Sequence, residues 1–221
     1  DSRSFVRNNI IVADGSLGTA FAIDRKGGVV LSDYNLYKLR NGAWFGSAQG
    51  GLWERLLYWQ QKSGQDTNSI ATDPEVTNES IGDYHLRSVG GRYVGGTWVT
   101  DVVHSAAIDA GSPSDVSTNE TAPNGDRINI GAYGNTEQAS RSRSTPWLYA
   151  ITMNDGGVIR GSETLRWTAG AMDATNRVTL QYSANAGANW HVIVTGLDAL
   201  GGEYVWDTTT ASNSLDAVWR V

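Results

Sequence analysis

The side chains that could do chemistry here are carboxylates, three histidines and a set of aromatics, and there is no cysteine. That absence removes disulfides, zinc thiolates, iron–sulfur clusters and thiol nucleophiles. Asp109, Asp115, Asn119, Glu120, Asn124 and Asp126 crowd one stretch of eighteen positions. Ca²⁺ takes about six to eight oxygens from carboxylates, amides and carbonyls, so a structural calcium held by Asp109, Asp115 and Asp126 is one expectation. The competing one is that these short side chains bond their own loop backbone in Asx turns. His85, His104 and His191 stand apart with no H-E-x-x-H spacing, and no Ser sits in a G-x-S-x-G elbow. Gly27-Gly28, Gly90-Gly91 and Gly95-Gly96 are pairs that suit tight turns, not a phosphate loop. Trp44, Tyr93, Trp98 and Trp147 lie in Gly-rich or loop surroundings. A flat apolar face with a polar tip suits sugars, which makes Trp44 and Trp98 candidates for stacking on a glycan. The other expectation is that they pack, as Trp53, Trp59, Trp167, Trp190, Trp206 and Trp219 are expected to do in the core.

These groups must be positioned by a β-dominated chain. Of 221 residues, 26 are Gly and 18% are charged, and Asp (16) far outnumbers Glu (7). A net charge of −6 argues against a nucleic-acid partner, which would ask for a basic footprint. No apolar run is long enough for a membrane span. With 9 Trp and 9 Tyr the chain has ample material for a core. It begins at Asp1 with no Met and no signal segment, and reads as a processed piece of something longer.

Two parts are expected, 1–144 and 145–221, divided by the small polar run Ala139 to Pro146. In the first, Phe5–Ile11 and Leu31–Tyr37 lie 26 residues apart, which aligns Phe5 with Leu31, Asn9 with Asn35, Ile10 with Leu36 and Ile11 with Tyr37. A spacing in the twenties suits one coil of a solenoid, with Asn9 and Asn35 taking left-handed turns and bonding along the stack. Gly51 to Ser63 predicts a helix: Leu52, Leu56 and Trp59 share a face that Trp53 and Leu57 widen, and Gly64 closes it. In the second part, Glu163–Thr168, Arg177–Ser183, Trp190–Val194, Glu203–Trp206 and Ala217–Val221 read as strands with turns between them, an antiparallel spacing.

The segments Asp83-Tyr84-His85-Leu86, Ser105-Ala106-Ala107-Ile108-Asp109-Ala110-Gly111 and Asn124-Gly125-Asp126-Arg127-Ile128-Asn129-Ile130-Gly131-Ala132-Tyr133-Gly134-Asn135-Thr136 follow one another. Together they resemble the C-terminal end of bacterial right-handed parallel β-helix repeat proteins. Ala106 stands where that family usually has Pro, a departure that would loosen a turn. Residues 147–221 resemble, more loosely, Ig-like modules of bacterial extracellular proteins, through Asn154-Asp155-Gly156-Gly157, Leu165-Arg166-Trp167-Thr168 and Tyr182-Ser183-Ala184-Asn185. Asn185-Ala186-Gly187 departs from the Asp-Gly-Gly turn those modules carry.

The resemblance implies an all-β fold: a short right-handed parallel β-helix end over 1–144, with one short α-helix in an insertion, then a small antiparallel Ig-like β-sandwich over 145–221. Enzymes of the β-helix class carry acid, base and cationic groups on outer faces. Here the material for that is scattered over Asp24, Arg25, Lys26, Asp33, His85 and Arg87, so no catalytic residue is assigned. The expected function is a non-catalytic structural or interaction module of a large secreted or cell-surface bacterial protein. The alternatives are the C-terminal part of a polysaccharide lyase or glycoside hydrolase, and a carbohydrate-binding module. Expected partners are other domains of the same parent, with polysaccharide as the alternative, no nucleic acid and no membrane insertion. No cofactor is expected, structural calcium being the alternative. If further coils precede Phe5, that end should be covered by a partner, a self-contact or a cap.

Overall fold

The structure, a computed structural model, describes residues 3–16, 18–23, 29–48 and 51–221. They form two compact units: Asp1–Ser144 with Met153–Gly157, and Thr145–Thr152 with Val158–Val221. The chain is all-β with a single short α-helix among the described residues. Among the described residues no helix is long and apolar enough to cross a membrane.

The first unit opens with strands β1 (Arg3–Arg7), β2 (Ile10–Asp14), β3 (Thr19–Ile23), β4 (Val29–Asp33), β5 (Leu36–Arg40), β6 (Trp44–Ala48) and β7 (Gly51–Trp53), then α1 (Leu56–Ser63) and β8 (Ile70–Ala71). The β1–β4, β2–β5, β3–β6 and β5–β8 pairs are parallel, giving sheets ordered β1-β4, β2-β5-β8 and β3-β6-β7. The register is the one the 26-residue offset predicts: Phe5 faces Leu31, Ile10 faces Leu36 and Ile11 faces Tyr37. Strands β1, β2 and β3 each stand at an edge of their sheet, and Phe5 is 61% exposed.

Asn9 and Asn35 do bond along the stack, since the Asn9 backbone N–H and side-chain amide both donate to Asn35 Oδ1 at 3.0 Å. They do not take the left-handed turns assigned to them. Asn8 (φ 60°) and Tyr34 (φ 56°), one residue earlier, do so. The reason is geometric: with the turn completed at Tyr34, the Asn35 side chain is fully buried, while Asn9, on the edge strand side of the stack, stays exposed. Ser69 follows in the same column, its hydroxyl accepting the Asn35 N–H at 2.9 Å.

Beneath this ladder lies Asp66, with no exposed surface. Its Oδ1 accepts from the hydroxyls of Ser69 (2.7 Å), Ser32 (2.9 Å) and Tyr37 (3.1 Å). Its Oδ2 accepts from Trp59 Nε1 at 2.9 Å. Burial first, then the Asp66 charge, hold the Tyr37 phenol well above its ordinary range, so it stays a donor. Tyr37, Phe45, Leu56 and Trp59 pack as one apolar cluster beside the network, with the Tyr37 and Phe45 rings edge-on at 4.7 Å.

The helix is shorter than its sequence pattern predicts. Gly51–Trp53 is a strand, antiparallel to β6, and Leu52 is 62% exposed, so it takes no part in the buried face of Leu56, Leu57 and Trp59. What starts the helix is not local: Asp155 accepts the Leu56 N–H at 2.6 Å, and Arg55 reaches the Asp155 carbonyl. An orphan helix donor is thus satisfied from a hundred residues away. Gly64 ends the helix in the left-handed conformation (φ 68°), as the pattern implies.

Short antiparallel pairs follow: β9 (Val76–Asn78) with β10 (Asp83–Leu86), and β11 (Arg92–Val94) with β12 (Thr97–Val99). Residues 100–144 contain no strand or helix but return to the turn between β1 and β2. Asn8 Oδ1 accepts the Ser112 N–H at 2.7 Å, its carbonyl accepts the Gly131 N–H at 2.9 Å, and Asp115 binds Arg7 and Asn8 at 2.6 Å.

The second unit is β-sandwich-like, with two antiparallel three-stranded sheets. One is β13 (Trp147–Ala150), β14 (Ser162–Gly170) and β17 (Glu203–Asp207). The other is β16 (His191–Asp198), β15 (Arg177–Ser183) and β18 (Val218–Arg220). Alternation along β14 and β15 buries Leu165, Trp167, Val178 and Leu180. Trp59, Trp167 and Trp206 are core as expected, while Trp53, Trp190 and Trp219 are only half-buried.

Candidate functional site

One cleft is built on a two-residue hairpin. Gly95 (φ 54°) and Gly96 (φ 94°) both take positive φ, the conformation that a tight hairpin turn of matching twist requires. The register sets Tyr93 directly opposite Trp98. Their rings meet edge-to-face at 5.7 Å and 76° on one side of the ribbon. The Arg141 guanidinium lies 3.9 Å from the Trp98 ring centroid and covers one face of it. Gly91 (φ 124°) approaches the same ring, and its carbonyl accepts the Arg141 N–H at 2.8 Å. The hairpin base is clamped by Asp101, which binds Arg92 Nε at 3.1 Å and the Ser88 N–H at 2.9 Å.

Two loop segments form the facing walls, Thr118–Thr121 and Thr136–Gln138, enclosing about 740 Å³ with the hairpin. The buried carboxylate of Glu120 joins them, its Oε1 accepting the Asn129 and Asn135 N–H groups at 2.9 and 2.8 Å. Burial pushes that carboxyl up, against the pull of the two backbone bonds. Asn135 Oδ1 accepts the Asn119 N–H at 3.2 Å, and Thr121 donates to the Glu137 carbonyl at 3.3 Å. The walls are therefore fixed by backbone bonds, with exposed Thr118, Asn119, Glu137 and Gln138 side chains at the mouth. Below Gln138, His85 lies flat on Tyr133 at 3.7 Å and bridges Asp83 Oδ1 (Nδ1, 2.6 Å) and Gln138 Oε1 (Nε2, 3.2 Å). Chemically the cleft offers two aromatic rings, amides, hydroxyls and one carboxylate.

The sequence-derived candidates are distributed differently. Trp98 lines the cleft, and Trp44 does not: it heads β6, paired opposite Thr19. Trp147 is buried in β13. Asp109, Asp115 and Asp126 are not gathered, and among the described residues no three His, Asp or Glu side chains converge as a metal would need. Asp109 accepts from the Ser142 hydroxyl at 2.8 Å, Asp115 is engaged by Arg7 and Asn8, and Asp126 is exposed. Asp24, Arg25 and Lys26 lie outside the described residues. Asp33 staples a turn through the Asn68 N–H and amide, both at 2.7 Å. Arg87 pairs with Glu75 at 3.6 Å.

Two carboxylates the sequence reading did not single out, Asp73 and Glu79, lie beside Lys38 and Arg40 of β5. Burial raises Asp73, but Lys38 and the Glu75 N–H outweigh it and leave the carboxyl below its ordinary value. Arg40 lowers Glu79. Both are therefore ionised at neutral pH and neither holds a proton to donate. Burial, with Arg143 alongside, drops His104 to about 4, which keeps it neutral. Nothing local marks Thr118, Asn119, Thr121 or Gln138 as cleft residues. The pair Tyr93 and Trp98 could have been read from the Gly-Gly turn between them.

Fold and cleft together define an all-β protein carrying an open, aromatic-floored polar cleft. Residues 2–111, just under half of the chain, match a family described as Disaggregatase related. No curated protein and no solved structure matches the chain.

Proposed function

We propose that this chain is a non-catalytic structural and interaction module of a secreted or cell-surface protein. Its first unit is read as the terminal coils of a right-handed parallel β-helix and its second as an Ig-like sandwich. The observation that carries this is the in-register parallel stacking of β2, β5 and β8, fastened by Asn9, Asn35 and Ser69. Stacked coils of this kind make a stiff element whose surface is free to be varied.

The test is to incubate the chain with neutral and uronic-acid polysaccharides and follow reducing ends and unsaturated uronates. No product is expected; release of either product above a heat-killed control overturns the reading. Hydrogen exchange supplies the structural half: 10–14, 36–40 and 70–71 should open as one cooperative block.

A further inference from the structure

We propose that the cleft between the Tyr93–Trp98 hairpin and the 118–121 and 136–138 walls binds an uncharged saccharide. The proposal does not depend on the coils acting as a scaffold. Arg141 covers one face of Trp98 and Tyr93 packs against it at a steep angle, which fixes a ring that also lines the cleft. A braced indole offers a sugar's C–H face a flat apolar surface with little entropy left to lose on binding.

Around that surface stand the groups a hydroxyl-rich ligand needs. Asn119 and Gln138 carry amides, and Thr118 carries a hydroxyl. Among the described residues the Asn119 amide and the Glu137 carboxylate make no hydrogen bond to the protein, so both remain available to a ligand. The volume lies within the range of roughly 300–1,000 Å³ usual for small-molecule sites, and the open mouth suits a stretch of polymer as well as a free sugar.

Charge selects the class. Glu137 is the one carboxylate among the residues lining the cleft, and none of those lining residues is a Lys or an Arg. A uronate or sulfated sugar would face Glu137 at the mouth, with the Arg141 guanidinium engaged on one face of Trp98, and would approach a chain of net charge −6. An uncharged sugar has nothing to repel it and can donate hydroxyls to Glu137, a charge-assisted bond.

Affinity electrophoresis of the whole chain tests this, in gels holding a neutral β-glucan, a mannan or a galactan, beside gels holding polygalacturonate or dextran sulfate. At least one neutral polymer should retard the chain, and the two polyanions should not. Trp98→Ala should weaken retardation at least tenfold. Because Trp98 is braced into the fold, Asn119→Ala serves as the second variant: its side chain is exposed and its N–H bond to Asn135 survives the change. It should weaken retardation several-fold with an unchanged circular dichroism spectrum. The proposal is overturned if no neutral polymer retards the chain, if retardation survives both substitutions, or if polyanions retard it equally.

Discussion

The two units solve the same problem, closing a β structure, with different shares of buried polar side chains. In the second unit Leu165 and Leu180 have no exposed surface, Ser183 is buried with them, and the Asx turns at Asp173 and Asp207 sit at the surface. In the first unit an apolar core that includes Leu36, Phe45 and Ile70 is accompanied by a hydrogen-bonded set of polar side chains, Asn35, Asp66 and Ser69, all fully buried. The difference follows from how each chain turns. Antiparallel hairpins close their own backbone bonds at the turn. A parallel coil must bend at corners where the ladder is interrupted, and the N–H groups stranded there need side-chain acceptors. Asp and Asn are short enough to reach them. Asp33 and Asp66 in the first unit and Asp173 and Asp207 in the second are all used in bonds of this local kind.

The contrast breaks if the polar interior proves dispensable, and the sharpest trial is Asp66→Ala. It strands the donors of Ser32, Ser69, Tyr37 and Trp59 at once. Each buried unsatisfied group costs about 1–3 kcal/mol, so a total of about 4 kcal/mol or more is expected. Hydrogen exchange should accelerate across 32–71 and stay unchanged across 162–183. A loss below about 1 kcal/mol would mean that the network is ornamental.

The apolar counterpart is Leu165→Ala, expected to cost about 3 kcal/mol through lost burial and the cavity it leaves. Here exchange should accelerate across 162–183, while 32–71 stays protected. Asn35→Ala comes next. It removes the acceptor for the Asn9 N–H and the donor to the Val6 carbonyl at 2.9 Å. About 2 kcal/mol is expected in urea titration, the cost of backbone groups left without partners.

These roles bear on what the sequence made legible. The 26-residue offset fixed the partners of β1 and β2, because a repeat records its own register. Alternation located β14 and β15, because a half-buried strand writes its period locally, and the turn residues Asn185 to Asn189 marked the hairpin into β16. Neither device could find the true start of α1, since its cap, Asp155, comes from another part of the chain. Nor could they find Asp66, whose partners are spread from Ser32 to Ser69, or the cleft walls at 118–121 and 136–138, which meet only after the loops have folded. Trp44 and Trp98 looked equivalent as isolated residues, and only the hairpin distinguishes them.

A milder effect separates useful burial from costly burial within the first unit. Asp109 is 6% exposed, and burial pushes its carboxyl up to about 6, although Ser142 and Arg127 both pull it down. A carboxyl that holds its proton more tightly folded than unfolded favours the fold below the unfolded value of 3.8, and that advantage is lost as pH rises through about 6. Asp109→Asn keeps an acceptor for Ser142 and suits the positive φ of 56°. It should stabilise the chain by about 1–2 kcal/mol at pH 8 and by nothing at pH 4. The same gain at both pH values would assign the effect to packing instead.

The smallest expected effect lies on the outer face of the stack. Arg40 and Glu79 form a two-pronged pair, with Nη1 to Oε2 at 2.7 Å, on side chains that keep 29% and 35% of their surface in water. Water and salt screen such a pair, so Arg40→Ala should cost no more than about 1 kcal/mol and less at high ionic strength. Its value lies in the ratio to Asp66. Both carboxylates accept several hydrogen bonds, one at the surface and one with no exposed area. If burial rather than bond number sets the cost, the two losses should differ by at least about threefold. Equal losses would mean that the interior network matters only as a count of bonds, and the distinction between the two units would rest on the sandwich alone.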